Sequence, residues 1–327
     1  MSACAGVEDA GARIVTLTMN PALDVCASTA VVRPTDKVRC SNARYDAGGG
    51  GVNVARVARA LGISTSAVFP SGGPTGALVT RLAIEADVCV HAVDIAEPTR
   101  ESFTVDETTT SRQYRFVLPG PCLTVAEQAR CLGELRRTAA GATFVVASGS
   151  LPPGVPADFY QRVADVCREL AVPLILDTSG CGLAGVSHGV FLMKPSVREL
   201  REHAGRALDT EADRVAAARE FVDRGAAEAV VVSLGAEGAL LVTATESQRF
   251  EAIPVHSRSG VGAGDAMVAG ITVGLVRGRP LADAVRLGIA ASAAMLTTSG
   301  TTCPARREVD RVLGMVREPV DVTPLSA

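Results

Sequence analysis

Short runs of β-branched and aliphatic residues alternate with segments of helical spacing along most of the chain, and this alternation limits the folds open to it. Each run is too short to be a helix and is typical of a buried strand. The runs are IVTLT (14–18), FVVAS (144–148), PLILD (173–177), VFLM (190–193) and AVVVSL (229–234). Helical spacing occurs at 54–61, 156–171, 211–224 and 281–297. Strands that alternate with helices predict an α/β fold with a mostly parallel central sheet covered on both faces.

Two further segments, 24–46 and 100–118, have a different pattern, in which apolar residues alternate with charged ones, as in RESFTVDE. Such alternation indicates half-exposed antiparallel strands, so we predict a small β-sheet lid inserted into the α/β body. The sequence has no long linker and no internal repeat. We therefore predict one domain over 14–316, with loose tails at 1–13 and 317–327.

Composition narrows the classes of partner. The net charge of -3 and the 3% aromatic content of the 327 residues offer neither a basic field nor stacking platforms, so nucleic acid is not expected as a partner. The longest apolar stretch, 266–276, is far shorter than the roughly 20 residues of a membrane helix, so no membrane partner is expected. Residues 1–13 show no secretory signal, and the odd count of nine cysteines, with no CxxC pair, predicts reduced thiols. We expect a cytoplasmic protein.

The segment SGVGAGD (259–265) precedes an apolar helical pattern and carries the clearest chemical signal. Glycines at a helix start let unpaired amides converge on an anion, and the helix dipole adds positive potential. A carboxylate at the end of such a loop can accept the proton of a hydroxyl that attacks a phosphoryl group, so Asp265 is the candidate base. Acidic residues are also favoured in the first turn of any helix, so this motif alone does not decide between a catalytic and a purely structural role for Asp265. The chain has no GxxxxGK[ST] motif, so a phosphate-binding P-loop is not indicated. GGGGVN (48–53) lacks the GxGxxG spacing of a dinucleotide-binding fold.

Two signatures together resemble a known family. GVGAGD (260–265) resembles the anion hole and catalytic motif of the ribokinase-like (PfkB) carbohydrate kinases, and GGGGVNVARVARALG (48–62) resembles their second signature. TLTMNPALD (16–24), SGSLPPGV (148–155) and VVVSLGAEGALL (230–241) extend the similarity to the phosphofructokinase branch. That branch includes the minor bacterial 6-phosphofructokinase, 1-phosphofructokinase and tagatose-6-phosphate kinase. The resemblance implies a ribokinase-like three-layer α/β/α fold and ATP-dependent phosphorylation of fructose 6-phosphate to fructose 1,6-bisphosphate.

The resemblance also implies roles for individual residues. Asp265 would be the base, and the amides of Gly262, Ala263 and Gly264 would form the anion hole. The sugar phosphate would be bound by Asp24, Lys37, Arg39, Gly49, Gly50, Asn53, Arg100, Ser148 and Ser150. ATP would be bound by Lys194, Ser196, Ser233, Gly235 and Gly238. Glu199 would hold Mg²⁺ through water, and main-chain carbonyls of Ser259, Val261 and Gly300 would hold K⁺. Lid strands would pair across a homodimer.

Two positions depart from the family pattern. The family usually has an Asn-x-x-Glu motif at 196–199, and Ser196 stands at its asparagine position. Gly260 stands where threonine is frequent. Serine lacks the amide with which asparagine helps to order magnesium and its water ligands in the family, so that arrangement does not carry over directly. Tagatose 6-phosphate and fructose 1-phosphate remain alternative substrates at this point. A non-catalytic sensor of sugar phosphate or nucleotide is the alternative from another class.

Overall fold

The alternation in the sequence produces one large sheet between two layers of helices. The computed structural model describes residues 13–41, 43–256, 259–298 and 300–322. The large sheet contains β1 (Arg13–Leu17), β4 (Ser64–Ser71), β5 (Cys89–Asp94), β8 (Phe144–Ser148), β9 (Leu174–Asp177), β10 (Val190–Met193), β11 (Ala227–Ser233), β12 (Ala239–Thr243), β13 (Ser247–Phe250) and β14 (Val320–Asp321). Their order is β14-β13-β12-β11-β10-β9-β8-β1-β4-β5. The seven strands from β11 to β5 run parallel, and β12, β13 and β14 are antiparallel additions at one edge.

Alternate residues of the parallel strands face opposite helix layers, as expected for a sheet that is buried on both sides. In β11, Val230 and Val232 pack into one apolar core, whereas Ala229 and Val231 pack into the other. The described helices are α1 (Gly50–Ala60), α2 (Gly73–Glu85), α3 (Val125–Ala139), α4 (Phe159–Glu169), α5 (Cys181–Ala184), α6 (Val197–Ala204), α7 (Glu211–Asp223), α8 (Ala263–Val276), α9 (Leu281–Leu296) and α10 (Arg306–Leu313). The predicted three-layer ribokinase-like fold is confirmed.

A separate sheet of four strands is formed by the segments in which charged and apolar residues alternate. It contains β2 (Ala22–Thr29), β3 (Arg44–Gly48), β6 (Arg100–Glu107) and β7 (Arg112–Val117), in the order β3-β2-β6-β7. The prediction of uniformly antiparallel lid strands is wrong for one pair, because β2 and β6 run parallel. These two strands come from separate insertions, and a long connection between them permits parallel pairing.

Several predicted features of the chain ends and the cysteines differ in the structure. Residues 1–12 and 323–327 of the predicted tails lie outside the described residues. The tail prediction is wrong for Val320–Asp321, which forms β14 and pairs with β13. Of the eight cysteines that the structure describes, seven are free, but Cys89 is disulfide-bonded, so the expectation of reduced thiols is wrong there. An odd count only shows that not every cysteine can be paired within the chain. No described helix combines the length and the apolar character needed to cross a bilayer.

Candidate active site

A cavity of about 250 Å³ lies between the four-stranded sheet and the carboxyl ends of the parallel strands. This is the edge at which open α/β sheets bind ligands. Eleven residues that the sequence predicted for the site line the cavity: Asp24, Gly49, Gly50, Asn53, Arg100, Ser148, Ser150, Glu199, Val261, Gly262 and Asp265. They come from the lid, from α1, from loops after β8 and from the start of α6 and α8, so folding brings together distant parts of the chain.

The glycine run before α1 allows this helix to begin directly against the strand ends. Gly49 has a φ of 104°, a backbone conformation that residues other than glycine rarely adopt. A Cβ atom on Gly50 would lie 2.2 Å from the Oγ atom of Ser148 and 2.9 Å from the amide of Gly149. The backbone therefore approaches the β8 loop more closely than a side chain would permit, which leaves the cavity open to a polar ligand.

The loop before α8 presents unpaired amides to the cavity. Gly262 adopts a left-handed conformation with φ of 77° and precedes the first turn of α8, which has no side-chain cap. The amides of Gly262, Ala263 and Gly264 form no hydrogen bond with another residue in the part of the chain that the structure describes. Val261 donates its amide to the Oγ atom of Ser259 at 3.2 Å. Three donors at a helix start thus remain available for an anion.

Asp265 lies in the first turn of α8, and its carboxylate faces the cavity. The Nδ2 atom of Asn53 donates to its Oδ2 atom at 2.9 Å. Removal from bulk water, together with repulsion from Asp177 and Asp24, raises the pKa of Asp265 to about 7, against the opposing effects of Asn53 and Lys194. A carboxylate whose pKa lies near neutrality is suited to accept a proton from a hydroxyl and to release it.

We expect kcat/KM for the sugar to rise as the pH increases through about 7, because Asp265 must lose its proton to act as a base. Burial and repulsion by Asp46 also raise the pKa of Asp24, to about 6, so a second ionisation contributes on the acid side. Initial rates measured across neutral pH test this prediction. The Asp24→Asn variant should retain the limb near pH 7, and a flat profile through neutral pH would contradict the assignment.

Lys194 follows β10 and forms a buried ion pair with Asp177 at the end of β9. The Nζ and Oδ1 atoms are 3.1 Å apart, and the two side chains are 4% and 14% exposed. Burial lowers the pKa of Lys194, but attraction by Asp177, Glu199 and Asp265 outweighs burial and holds the pKa above its ordinary value. A Cβ atom on Gly264 would lie 3.8 Å from Nζ, which places this ammonium group against the first turn of α8. Lys194 is thus a charged group close to the anion hole.

A second, larger cavity of about 560 Å³ lies on the other side of the α8 start. Of the residues predicted to bind ATP, Ser233, Gly235 and Gly238 line it, and so do Ala263 and Gly264 of the anion hole. Its wall is largely apolar, with Ile253, Pro254, Val255, Met267, Ile289 and Leu296. A largely apolar cavity with a polar edge is suited to a nucleobase. The two cavities meet at the turn that contains Gly262 and Asp265.

Ser196 and Glu199 form a reciprocal capping box at the start of α6. Ser196 donates its amide and its hydroxyl to Oε2 of Glu199, each at 2.8 Å, and accepts the Glu199 amide at 3.3 Å. Glu199 lines the first cavity, whereas Ser196 lines neither of the two. The predicted contact of Ser196 with ATP therefore finds no support in its placement, because its side chain is used within the helix cap.

The cations predicted to surround a sugar phosphate are distributed differently from the prediction. Arg100 lines the cavity and donates to the carbonyls of Asn20 and Leu118. Lys37 and Arg39 lie exposed between β2 and β3 and do not line the cavity. Arg115, which sequence reasoning missed, lines it from β7. The alternation in RQYRFVL was the available signal, because it places Gln113 and Arg115 on one face of the strand.

The carbonyls predicted to bind K⁺ belong to adjacent segments. Ser259 is buried and lies beside the end of α9, since its amide donates to Leu296 at 3.4 Å. Its Oγ atom accepts from Gln113 of the lid at 3.2 Å. Gly300 has a left-handed conformation with φ of 57°. Gly260 has open space where a Cβ would project, so threonine would meet no steric conflict there.

Comparisons with known proteins agree with the fold. The model of the pfkB family of carbohydrate kinases matches residues 17–307. The chain is 61% identical over 310 residues to the ATP-dependent 6-phosphofructokinase isozyme 2 of Mycobacterium tuberculosis, covering 95% of this chain and 91% of that protein. Phosphofructokinase-2 of Escherichia coli, solved with fructose 6-phosphate, superposes with a TM-score of 0.86 at 34% identity and covers 93% of this chain and 99% of its own. The same enzyme solved with potassium gives a TM-score of 0.88 at 36% identity, with the same two coverages.

The family match spans most of the chain, and both signatures used to recognise it lie at the cavity that the structure forms. The chain belongs to the pfkB family of carbohydrate kinases.

Proposed function

We propose that this protein transfers the γ-phosphoryl group of ATP to fructose 6-phosphate and forms fructose 1,6-bisphosphate. The observation that carries the proposal is the position of the α8 start, whose amides and carboxylate separate a polar cavity from a largely apolar one. A sugar hydroxyl on one side and a nucleotide phosphate on the other would meet at Gly262 and Asp265. The relative from M. tuberculosis, at 61% identity, bears the name of this activity.

The proposed reaction uses residues of the chain in distinct ways. Asp265 accepts the proton of the attacking primary hydroxyl, and the amides of Gly262, Ala263 and Gly264 stabilise charge on the transferred oxygens. Lys194 adds positive charge beside the same turn. The lid excludes water from the cavity, which limits hydrolysis of ATP. Gln113 of β7 contacts Ser259, so the lid lies against the anion-hole loop.

Mg²⁺ fits this site as an ion that arrives on ATP. In the described ranges, no group of three or more histidine, cysteine or acidic residues could hold a metal ion. The carboxylates of Glu199 and Asp177 line the first cavity and are suitable acceptors for the water ligands that Mg²⁺ retains. A bound Mg²⁺ would neutralise charge on the phosphates. A K⁺ ion at Ser259, Val261 and Gly300 is also proposed, and the E. coli structure with potassium supports it.

We expect fructose 6-phosphate to be the preferred acceptor over tagatose 6-phosphate and fructose 1-phosphate. Arg115 should hold its phosphate, since this exposed guanidinium lines the cavity beside Asp24 and forms no hydrogen bond or close ion pair with another described residue. Replacing Arg115 with alanine should raise KM for fructose 6-phosphate roughly 10- to 100-fold, the scale of a hydrogen bond to a charged group. Coupled ADP release measured with the three sugar phosphates tests both statements.

The Arg112→Ala variant is the matched control, because Arg112 lies on the same strand and does not line the cavity. Its KM should equal that of the wild type. A clear preference for fructose 1-phosphate would overturn the proposed substrate, and an unchanged KM in Arg115→Ala would overturn the proposed phosphate contact.

The lid supports the proposal of a homodimer. Its strands expose Tyr45, Phe103 and Phe116 in one cross-strand row, which makes an apolar surface that a second copy would cover. Lys37 and Arg39, which project near this sheet, stay predictions as sugar-phosphate residues. The cytoplasmic location predicted from the sequence also stays a prediction.

A further inference from the structure

Arg56 lies on α1 one turn after Asn53 and contacts both this residue and the lid. Its Nη1 atom donates to the carbonyl of Ala47 at 2.9 Å and to Oδ1 of Asn53 at 3.5 Å. Its Nη2 atom is 3.5 Å from Oδ1 of Asp46, and the Arg56 and Asp46 side chains are only 10% and 14% exposed. A charged group this deeply placed is expected to have a specific task or a specific partner. Arg56 has partners in two different parts of the fold.

The contact with Asn53 fixes the orientation of its amide. An asparagine side chain can present either its oxygen or its NH₂ group to a neighbour. Only one orientation lets Nδ2 donate to Oδ2 of Asp265 at 2.9 Å. The reversed orientation would place the Asn53 oxygen against the ionised carboxylate and its NH₂ group against the Arg56 guanidinium, so both contacts would be lost. Because Arg56 has only N-H donors, its contact with Oδ1 selects the orientation that Asp265 requires.

The other two contacts attach Arg56 to the lid. Asp46 and Ala47 belong to β3, the lid strand that leads into α1. Arg44 of the same strand pairs with Asp46 at 2.8 Å and donates to Thr302 at 2.9 Å, which holds the strand against the body. The Ala47 carbonyl and the Asp46 carboxylate therefore hold the Arg56 guanidinium, and they lie beside it only when β3 packs against α1.

We propose that Arg56 is a positioning residue that acts through Asn53 to orient the Asp265 carboxylate, and that docking of β3 sets its position. The inference rests on the proposed function, since it assigns the base role to Asp265. The charged groups that face Asp265 are Asp177, Lys194 and Asp24. Arg56 also lowers the pKa of Asp24, so the Asp24→Asn background separates an effect that passes through Asp24 from one that passes through the Asn53 amide.

A double-mutant cycle tests the route. Arg56→Ala should lower kcat roughly 10- to 100-fold, the scale of a misplaced catalytic group, and leave KM for ATP unchanged. Because the Asn53 hydrogen bond lowers the pKa of Asp265, its loss should shift the acid limb of the pH profile to higher pH. Adding Arg56→Ala to Asn53→Ala should cause no further loss in kcat and no further shift, as expected for residues that act in series.

The matched control is Arg59→Ala, one turn further along α1. The side chain of Arg59 forms no hydrogen bond or ion pair with another described residue, although it shares with Arg56 the lining of a cavity of about 440 Å³. Its kcat and pH profile should match the wild type. Because that cavity opens beside Arg56, added guanidinium ion should restore part of the activity of Arg56→Ala and none of that of Asn53→Ala.

Additive losses in the double mutant, or an unshifted acid limb in Arg56→Ala, would overturn the inference. If Arg56→Ala fails to fold, as thermal unfolding would show, Arg56→Lys provides the same test, because lysine keeps the charge but loses the fork that reaches two acceptors. Full activity in Asp265→Asn would instead refute the proposed function, so the two failures are distinguishable.

Discussion

Replacing Asp265 with asparagine should lower kcat roughly 100- to 10,000-fold, which is the usual contribution of a general base. Asparagine keeps the size of the side chain but has no carboxylate to accept the proton. Coupled ADP release with fructose 6-phosphate and ATP measures the loss. Binding of both substrates should persist, because the amides of the α8 start and the walls of the two cavities are unchanged.

Stability provides the control for this variant. The pKa of Asp265 is raised in the folded protein, so the carboxylate makes folding less favourable as the pH rises from its ordinary pKa of 3.8 to about 7; the cost is absent at lower pH and complete above about pH 7. At pH about 8 the asparagine variant should therefore melt no lower than the wild type. Retained turnover would contradict the base assignment. Binding without turnover in the wild type as well would favour the non-catalytic sensor.

Replacing Lys194 with methionine should lower the free energy of unfolding by about 3–5 kcal/mol, because the change leaves the Asp177 carboxylate buried without its cation. Urea unfolding at neutral pH measures the difference. The loss should shrink as the pH falls, since a protonated Asp177 needs no counter-ion. Activity should also fall, because positive charge is removed from the first turn of α8.

Two further variants separate the ion pair from a general loss of stability. Adding Asp177→Asn to Lys194→Met should restore part of the unfolding free energy, because no buried charge is then left unpaired. Lys37 is the other lysine of the sequence and lies exposed on the lid, so Lys37→Met should leave stability unchanged. A loss of less than about 1 kcal/mol in Lys194→Met would show that the pair is not needed for folding.

The architecture and about half of its elements could be predicted from local patterns, and two of the misses have clear physical causes. The buried strands β1, β8, β9, β10 and β11 and the helices α1, α4, α7, α8 and α9 lie where the spacing of apolar residues indicated them. Strand β4 was missed because it contains Pro70, which normally weakens a strand assignment. Strand β14 was missed because two residues form no detectable pattern, and only pairing with β13 defines them.

Some features of the candidate site could likewise be predicted from the sequence, and others could not. The loop from Ser259 to Asp265 and the glycine run before α1 could be recognised from sequence, because a helix start with unpaired amides depends on neighbouring residues alone. The contacts depend on how the chain packs: Asn53 reaches Asp265 across 212 positions, Lys194 meets Asp177, and Arg115 rather than Lys37 lines the cavity. Distances and burial of this kind arise only when strands and lid pack together, and they set the pKa values on which catalysis depends.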